Sequence, residues 1–584
     1  MQALITASAT KHTDLSRGRF LLPWLCAAAV VVVLRFLSAV DLGYDLTWQL
    51  QAAQHLLAGK GLSVYWGRGL DLAEPLKLVT LTHFPCGYSV FAAALIAMGA
   101  SVGVVVKVLG AVGTMLGWSG WGKLAYPFFS AGLQRSPVWQ WAGLAIAMVS
   151  PLLFTPPWQG TDIFLWAAAP WVVDWVVRAS DEHVPGGRWL DGLTGALSGL
   201  CVLMRYASLF LVVYAVCLIL WQSRMRLLIL TRRWACFGLG LLPALALQGS
   251  INYVLSNTPA TPGGWIFDRG LGGVIRRVWD GVPLLSTVNY PWVFWLPGRI
   301  GELLSHGARP WPWQLGITVA VLVLLVLVAK LYGRGLAGAP QDPRRGALGL
   351  FVVLPLVLWG CMMFGATDYV ADRRFYWPLL PLSVFVVYSL ASLTGGGTER
   401  SGLSSILHIF GVVYLTGYIA MSLAGLVLWF VPGELGSGQR AKLMGGSELR
   451  HWPSMAVAYE LSPARRFVMA LLQEQSDTRL WTSKGQWFYA DPTVDRARLS
   501  ELTAVCQATS LSGPARIVML TFDDGGPQEL WDYAGDATGR SWHQRVDCFD
   551  GLLDLHLLQR FPEEGVKVLE TYVPADRCVR LGSR

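Results

Sequence analysis

Residues 45–61, DLTWQLQAAQHLLAGKG, decide the expected fold, because they place an acidic residue soon after the first apolar run. That run extends from Leu21 to Val40 and is long enough to cross a bilayer. A carboxylate at the mouth of a membrane bundle is costly to hold, so it is a functional candidate by default. Asp45 is therefore the first candidate site residue, and the segment predicts chemistry at one face of a membrane.

The composition of the whole chain also indicates a protein embedded in lipid. Of its 584 residues, 54% are hydrophobic and 14% are charged, and the formal net charge is +9. Soluble domains carry roughly 25% charged residues. The basic residues lie in short loops between apolar runs, so no nucleic acid partner is expected. The first run is long and lacks a small-residue cleavage site, which favours an uncleaved span over a signal peptide.

The apolar runs predict a mainly α fold, a polytopic transmembrane bundle of about eleven spans. An amino terminus in the cytoplasm satisfies the positive-inside rule and places the carboxyl-terminal tail outside an inner or plasma membrane. The expected spans are 20–40, 101–121, 138–154, 162–178, 191–205, 206–221, 234–255, 312–332, 347–366, 375–393 and 403–431.

Three segments on the expected outer face, 41–100, 256–311 and 432–584, are too long or too polar to be plain turns. In the first of them, Leu46, Leu50, Ala53 and Leu57 recur at helical spacing, with the glutamines of residues 45–58 mostly elsewhere. Gly87 to Met98 is a second apolar piece, too short to cross comfortably. Both pieces are predicted to be helices lying at the membrane surface.

The pattern divides the chain into a transmembrane domain at 1–431, a linker at 432–449 and an extracytoplasmic α/β domain at 450–584. Helical and strand-like pieces alternate in the last part, which predicts a small domain of its own. They are Ala464–Gln473, Arg479–Tyr489, Asp495–Cys506, Ala515–Phe522, Leu552–Phe561 and Val566–Val573. Leu520 to Gly525 is similar to the opening motif of polysaccharide deacetylases, but a buried strand that runs into an acidic turn is the favoured interpretation.

The acidic segment resembles the first outer loop of the C-type integral-membrane glycosyltransferases, the superfamily of protein O-mannosyltransferases and lipid A aminoarabinose transferases. Asp45 takes the acidic position, Trp48 stands where an aromatic is usual, and Leu56-Leu57-Ala58-Gly59 resembles the closing turn. Pro85-Cys86-Gly87-Tyr88 is similar to the Pro-x-Gly-Tyr step into a second surface helix. Leu46 departs from the pattern, because a second acid often occupies that position.

Three further segments extend the resemblance over roughly residues 20–430. Thr161-Asp162 looks like the second acidic site of the outer loops, and Gly199 to Tyr206 resembles a mid-bundle segment of these enzymes. Arg373 to Pro381 resembles their Arg-aromatic-Pro-Leu-x-Pro start of a late span. The resemblance implies inverting transfer of a sugar from a polyprenyl-phosphate donor to an acceptor on the outer face. That acceptor is a glycolipid, a polysaccharide or a protein.

The residue chemistry assigns candidate roles. Asp45 would be the general base or would position the acceptor. Asp162 would assist through a divalent cation or by hydrogen bonds, and no cofactor is assigned. Arginines bind phosphate oxygens with planar donors, and six are expected on the outer face against the positive-inside bias. Arg373 and Arg374 are the first candidates for the donor phosphate and Arg276 and Arg277 the next, with Arg269 and Arg299 nearby; His83 and Tyr88 complete the substrate site.

Structural roles remain open for the same residues. Asp45 and Asp162 could be helix caps, and Asp41 is a rival for the catalytic role. Arg373 and Arg374 could anchor lipid headgroups, and a lone residue such as His83 is often structural. Two of Cys506, Cys548 and Cys578 could form a disulfide, and the third would then stay free or join Cys86.

Two other classes of function remain open. The first is a transporter or flippase for an amphiphilic lipid-linked substrate, since broken spans such as that around Arg205 occur in transporters. The second is a non-catalytic assembly subunit that recruits a partner through its carboxyl-terminal tail.

Overall fold

The computed structural model describes residues 20–36, 44–66, 77–133 except 83, 136–179 except 157 and 159, 187–255 except 224 and 225, and 379–394. It also describes residues 346–347, parts of 405–420, residues 462–482, and the strands up to residue 580. The predicted span 312–332 and most of 347–366 and 403–431 lie outside these residues. The same holds for Asp41, Cys506, Cys548 and Cys578.

The amino-terminal part is mainly helical, as predicted. Its helices are α1 Phe20–Phe36, α2 Tyr44–Leu57, α3 Gly87–Ala97, α4 Val102–Leu133, α5 Pro137–Phe154, α6 Asp162–Ala179, α7 Gly187–Met204, α8 Leu209–Gln222, α9 Leu227–Ser250 and α10 Leu379–Thr394. A 3₁₀ turn, Tyr206–Ser208, joins α7 to α8, and a π turn, Ile251–Leu255, extends α9. The number of spans stays a prediction.

Two helical segments of the described residues are long and apolar enough to cross a membrane, judged by length and composition. They are Val102–Ser130 and Leu227–Tyr253. The apolar helices Phe20–Phe36, Gly87–Ala97, Trp189–Met204 and Leu209–Gln222 are shorter.

Side-chain contacts define the directions of α6 to α9. Arg205, which follows α7, bonds to Thr161 and Asp162 at the start of α6. Arg233, near the start of α9, contacts Asp191 at the start of α7 and Gln222 at the end of α8. Consecutive helices therefore run in opposite directions between two ends, which we call the Arg205 end and the Arg233 end. The chain reverses at residues 205–208, so the interruption there is a turn between two helices and not a break within one span.

Close packing of these helices depends on glycine. Gly113, Gly117 and Gly120 form a stripe on α4 that faces α6, and Gly110 faces Trp158 in the segment before α6. A Cβ at Gly117 would overlap the ring of Trp166. The α7–α9 pair approaches as closely, since a Cβ at Gly195 would overlap the carbonyl oxygen of Phe237. Small residues allow this backbone approach in helical bundles.

A group of tryptophans fills the interior between α1, α4 and α6. Trp24 donates from Nε1 to the carbonyl oxygen of Trp118 at 2.9 Å, and Trp121 donates to that of Trp166 at 3.1 Å. The rings of Trp118 and Trp166 lie edge to face, with centroids 5.0 Å apart. These four side chains are fully buried. They are core residues of this part of the bundle.

The first long loop contains more structure than predicted. A hairpin of β1 Ser63–Trp66 and β2 Lys77–Thr80 packs over α2. Leu46, Leu50 and Ala53 are buried as expected, but Leu57 is 47% exposed while Gln49 and Gln51 are buried. The polar face expected of a surface helix is therefore covered, because α2 packs between α3 and the hairpin.

The carboxyl-terminal part contains a mixed sheet, as predicted. Helix α11 Pro463–Glu474 begins at Ser462, whose hydroxyl accepts from the backbone N–H of Arg465 at 3.0 Å. A five-stranded sheet has the order β4-β3-β6-β8-β7, with β3, β4 and β6 parallel and β8 antiparallel to β6 and β7. The strands are β3 Arg479–Thr482, β4 Leu499–Glu501, β6 Ala515–Phe522, β7 His556–Phe561 and β8 Val566–Val573, and a separate ladder pairs β5 Ser510–Leu511 with β9 Val579–Arg580.

The strand interpretation of the deacetylase-like motif agrees with this sheet. Ile517 to Leu520 are fully buried in β6. The acidic turn that follows Phe522 lies outside the described residues. The boundaries of the carboxyl-terminal domain and its side of the membrane stay predictions.

Candidate functional site

The Arg205 end holds a buried ion pair between two motif segments. Nε of Arg205 lies 2.6 Å from Oδ1 of Asp162, and Nη1 donates to Oγ1 of Thr161 at 3.0 Å. Arg205 is 5% exposed, and the side chain of Asp162 is 17% exposed. A charge this deep in an apolar bundle needs a partner. Asp162 provides that partner, so the reversal of the chain is fixed to the start of α6.

Asp162 is also the first residue of α6. A carboxylate at a helix amino terminus interacts favourably with the helix dipole. The structural and functional interpretations of Asp162 therefore coincide at this position. Arg205 was not among the candidates chosen from the sequence, although it stood in a quoted motif. The available signal was a lone basic residue between two apolar runs.

The residue after Arg205 connects the turn to the first long loop. Tyr206 donates from Oη to the carbonyl oxygen of Thr82 at 3.1 Å, across 124 residues of sequence. The same oxygen faces Nε2 of Gln248 at 3.0 Å and Nδ2 of Asn252 at 3.3 Å. Gln248 in turn accepts from the backbone N–H of Cys86 at 3.0 Å. Sequence analysis missed Tyr206, Gln248 and Asn252 as site residues.

The Pro-x-Gly-Tyr step lies against the end of α7. A Cβ at Gly87 would lie 2.6 Å from the carbonyl oxygen of Leu203, so this contact requires glycine. Burial raises the pKa of the Cys86 thiol. Tyr88, a predicted substrate-binding residue, is buried with its ring centroid 6.2 Å from that of Phe164. Its hydroxyl has no hydrogen-bond partner among the described residues. Tyr88 thus belongs to the α3–α6 packing.

Two further basic side chains donate hydrogen bonds to backbone carbonyl oxygens near the Arg205 end. Arg35 near the end of α1 donates to the carbonyl oxygens of Pro156 at 2.6 Å and Thr155 at 2.8 Å, ahead of Asp162. Lys107 on α4 donates to the carbonyl oxygen of Phe36 at 2.7 Å. These bonds tie α1, α4 and the segment before α6 together.

The remaining predicted site residues cannot be placed in this geometry. Asp45 is the second residue of α2, so it lies in the first turn of that helix. His83, Arg276, Arg277, Arg373 and Arg374 lie outside the described residues. In the part of the chain that the structure describes, no group of three or more His, Cys, Asp or Glu side chains could hold a metal ion. The role of Asp45 and the phosphate contacts stay predictions.

The comparisons with known proteins found matches by structure and none by sequence. No protein-family model matches the sequence, and no curated protein matches it. Solved structures match the chain over nearly its whole length.

Two of the similar structures are of ArnT from Cupriavidus metallidurans. For ArnT bound to undecaprenyl phosphate the identity is 12% and the TM-score 0.42, with 96% of this chain and 98% of that chain covered. For the apo state the identity is 14% and the TM-score 0.34, and 99% of this chain and 100% of that chain are covered. A third structure is the archaeal oligosaccharyltransferase AglB from Archaeoglobus fulgidus with an inhibitory peptide and a dolichol-phosphate. Its identity is 9% and its TM-score 0.40, and 93% of this chain and 73% of that chain are covered. Such values leave the chemistry of the site to be argued from its own residues.

Proposed function

We propose that this chain is an integral-membrane glycosyltransferase that moves a sugar from a polyprenyl-phosphate carrier to an acceptor on the outer face of the membrane. One observation carries the proposal. Three segments that resemble transferase motifs in the sequence, 85–88, 161–162 and 199–206, come together at the Arg205 end. Gly87 packs against Leu203, and Arg205 bonds to Thr161 and Asp162. The three segments are far apart in sequence, and their meeting around a charged pair in an apolar bundle is expected of a functional site.

The proposed reaction is a single displacement at the anomeric carbon. A hydroxyl or amine of the acceptor attacks that carbon, and the bond between the carbon and the phosphate oxygen breaks. The electron pair leaves with the polyprenyl phosphate, and Asp45 accepts the proton of the acceptor. General-base catalysis of this kind raises the reaction rate about 10²–10⁴-fold. Asp162 holds Arg205 in place, and Arg373, Arg374, Arg276 and Arg277 bind the phosphate.

The proposal includes a membrane location. The apolar composition and the two long apolar helices support it. We place the amino terminus in the cytoplasm and residues 450–584 outside, following the distribution of basic residues.

The flippase alternative has less support than the sequence indicated. The main observation in favour of a flippase was an apolar span that Arg205 interrupts. The contacts of Arg205 and Gln222 show two antiparallel helices joined by a turn, which is ordinary bundle geometry. No described contact favours transport over transfer.

The test uses the full chain in native membranes with undecaprenyl-phosphate sugars labelled in the sugar, presented as a panel of hexoses and pentoses. We expect one donor to be consumed, with label appearing in an acceptor. Asp45→Asn should abolish this transfer, while Asp477→Asn, which changes an exposed carboxylate in a turn of the carboxyl-terminal part, should retain it. Retained transfer in the Asp45 variant contradicts the proposed base. A donor that crosses the membrane without being consumed supports the flippase.

A further inference from the structure

Neutral side chains near Arg205 hold a short backbone segment at both of its ends. Gln248, in the last turn of α9, is 4% exposed and accepts from the backbone N–H of Cys86 at 3.0 Å. Tyr206 donates to the carbonyl oxygen of Thr82 at 3.1 Å. Gln248 and Tyr206 are themselves bonded, with Nε2 and Oη 3.0 Å apart. The backbone of Thr82 is therefore fixed to the α7–α8 turn, and that of Cys86 is fixed to α9.

The bonding partners determine the positions of the protons that join Cys86, Gln248, Tyr206 and Thr82. The backbone N–H of Cys86 can only donate, so the Gln248 atom that faces it is the oxygen. Both hydrogens of Nε2 then go to Oη of Tyr206 and to Oδ1 of Asn252, at 2.9 Å for the latter. Since Oη of Tyr206 already accepts, its own proton goes to Thr82. A fully connected network of this kind specifies one conformation.

The backbone of α9 contributes to the arrangement. Asn252 lies four residues after Gln248, inside the π turn Ile251–Leu255. It also donates from Nδ2 to Tyr206 at 3.3 Å. π turns within helices occur frequently at functional sites. Residues four apart share one side of a helix, so Asn252 lies beside Gln248 and bonds to it and to Tyr206.

We propose that Gln248 and Tyr206 are positioning residues of the sugar transfer. They hold the backbone of Thr82 and Cys86 at the turn that carries Arg205, because Tyr206 follows Arg205 directly in the chain. Neither side chain touches a reacting atom in this scheme. The inference rests on the proposed function, but its physical part, the holding of the segment, can be measured without any activity.

The first measurement is amide hydrogen exchange of the peptide around residues 82–88 in the full chain in lipid nanodiscs. Gln248→Leu removes the acceptor of the Cys86 N–H, and we expect exchange there to become about tenfold faster. Tyr206→Phe removes the bond to Thr82 and should speed exchange less, because Gln248 still accepts from Cys86. The matched control is Tyr214→Phe, which loses a similar bond from Oη to the carbonyl oxygen of Gly346 at 2.6 Å. It should leave the 82–88 peptide unchanged.

The second measurement is steady-state transfer with the undecaprenyl-phosphate sugar that the panel identifies. We expect kcat to fall about 10-fold to 100-fold in Gln248→Leu and Tyr206→Phe, with KM within about threefold of the wild-type value. Misplaced catalytic geometry lowers kcat, whereas lost donor binding would raise KM. Tyr214→Phe should keep both constants.

The outcomes separate this inference from the proposed function. Unchanged exchange in Gln248→Leu overturns the holding of the segment. Faster exchange with wild-type kcat, or a loss of kcat that Tyr214→Phe shares, overturns the positioning role. If the wild-type chain consumes no donor of the panel, the proposed function fails. In that case the exchange data alone decide whether the network holds the backbone of Thr82 and Cys86.

Discussion

Arg233 and Asp191 form a two-point ion pair at the end of the bundle opposite Arg205. Nε and Nη2 of Arg233 each lie 2.9 Å from a different carboxylate oxygen of Asp191, and Nη2 also donates to the carbonyl oxygen of Val176 at 3.0 Å. Both side chains are buried. One guanidinium therefore joins α6, α7 and α9.

Removing one partner of this pair should destabilise the protein strongly. Asp191→Ala leaves the Arg233 charge buried without its carboxylate, which costs about 3–5 kcal/mol. The double variant Asp191→Leu/Arg233→Leu should lose less, since no charge then remains. Thermal unfolding in detergent measures both. Arg178→Ala is the control, because its side chain is 49% exposed and its pair with Asp174 should contribute about 0–1 kcal/mol. Equal losses of stability in all of these variants would contradict this prediction.

Arg205→Lys should lower sugar transfer while the protein remains folded. Lysine keeps the positive charge but has no planar group that can reach Asp162 and Thr161 together. We expect kcat to fall about tenfold or more, because a small misplacement of the groups around a reacting centre lowers the rate strongly. Transfer assays with the active donor, together with thermal unfolding, separate this loss from unfolding. Wild-type kcat in the lysine variant would show that two-point contact is not needed.

Gly195→Ala should loosen the α7–α9 pair. The added Cβ would overlap the carbonyl oxygen of Phe237, so one helix must shift, at a cost of about 1–3 kcal/mol. Gly238→Ala on α9 is the matched control, because nothing lies within 4 Å of its added Cβ. Alanine there should be neutral or stabilising, since it is the better helix former. Thermal unfolding of both proteins in one detergent compares them, and identical shifts would exclude the packing argument.

Asp41→Asn should leave transfer largely intact, in contrast to Asp45→Asn. The two carboxylates are four residues apart in sequence, so a general effect of lost charge near the membrane would act on both. Loss of a general base should lower the rate of transfer about 10²–10⁴-fold, and in only one of the two variants. The panel donor assay distinguishes the variants. A collapse in the Asp41 variant alone would move the catalytic role to that residue.

Much of the helical framework was predictable, because long apolar runs carry their own signal. The expected span 162–178 corresponds to Asp162–Ala179, and the expected strand Val566–Val573 has the same bounds in the structure. The β1–β2 hairpin was missed because its strands are four residues each and have little periodicity. Burial of Gln49 and Gln51 was missed because helical spacing alone does not reveal a second covering layer.

The candidate site was predictable only in part. Asp162 was a candidate because Thr161-Asp162 resembles the second acidic site of the transferase outer loops. Gln248 and Tyr206 are neutral, and two of their partners are backbone atoms, 162 and 124 residues away. No local pattern in a single sequence indicates such a bond. Only the packing of α9 against the α7–α8 turn brings these residues together.

The ion pairs at the two ends of α6 have a consequence for the bilayer. Asp162 and Asp174 are both on this helix, and at 1.5 Å per residue they are separated by about 18 Å along its axis. The hydrocarbon core of a typical bilayer is about 30 Å thick. If α6 spans the membrane, this hydrophobic mismatch requires lipid thinning or water entering the bundle from one side. A nitroxide label on the exposed face of the bundle, with nickel-complex accessibility as the readout, would show which side is wetted. A wetted recess at the Arg205 end would let a phosphate headgroup descend to the level of Arg205.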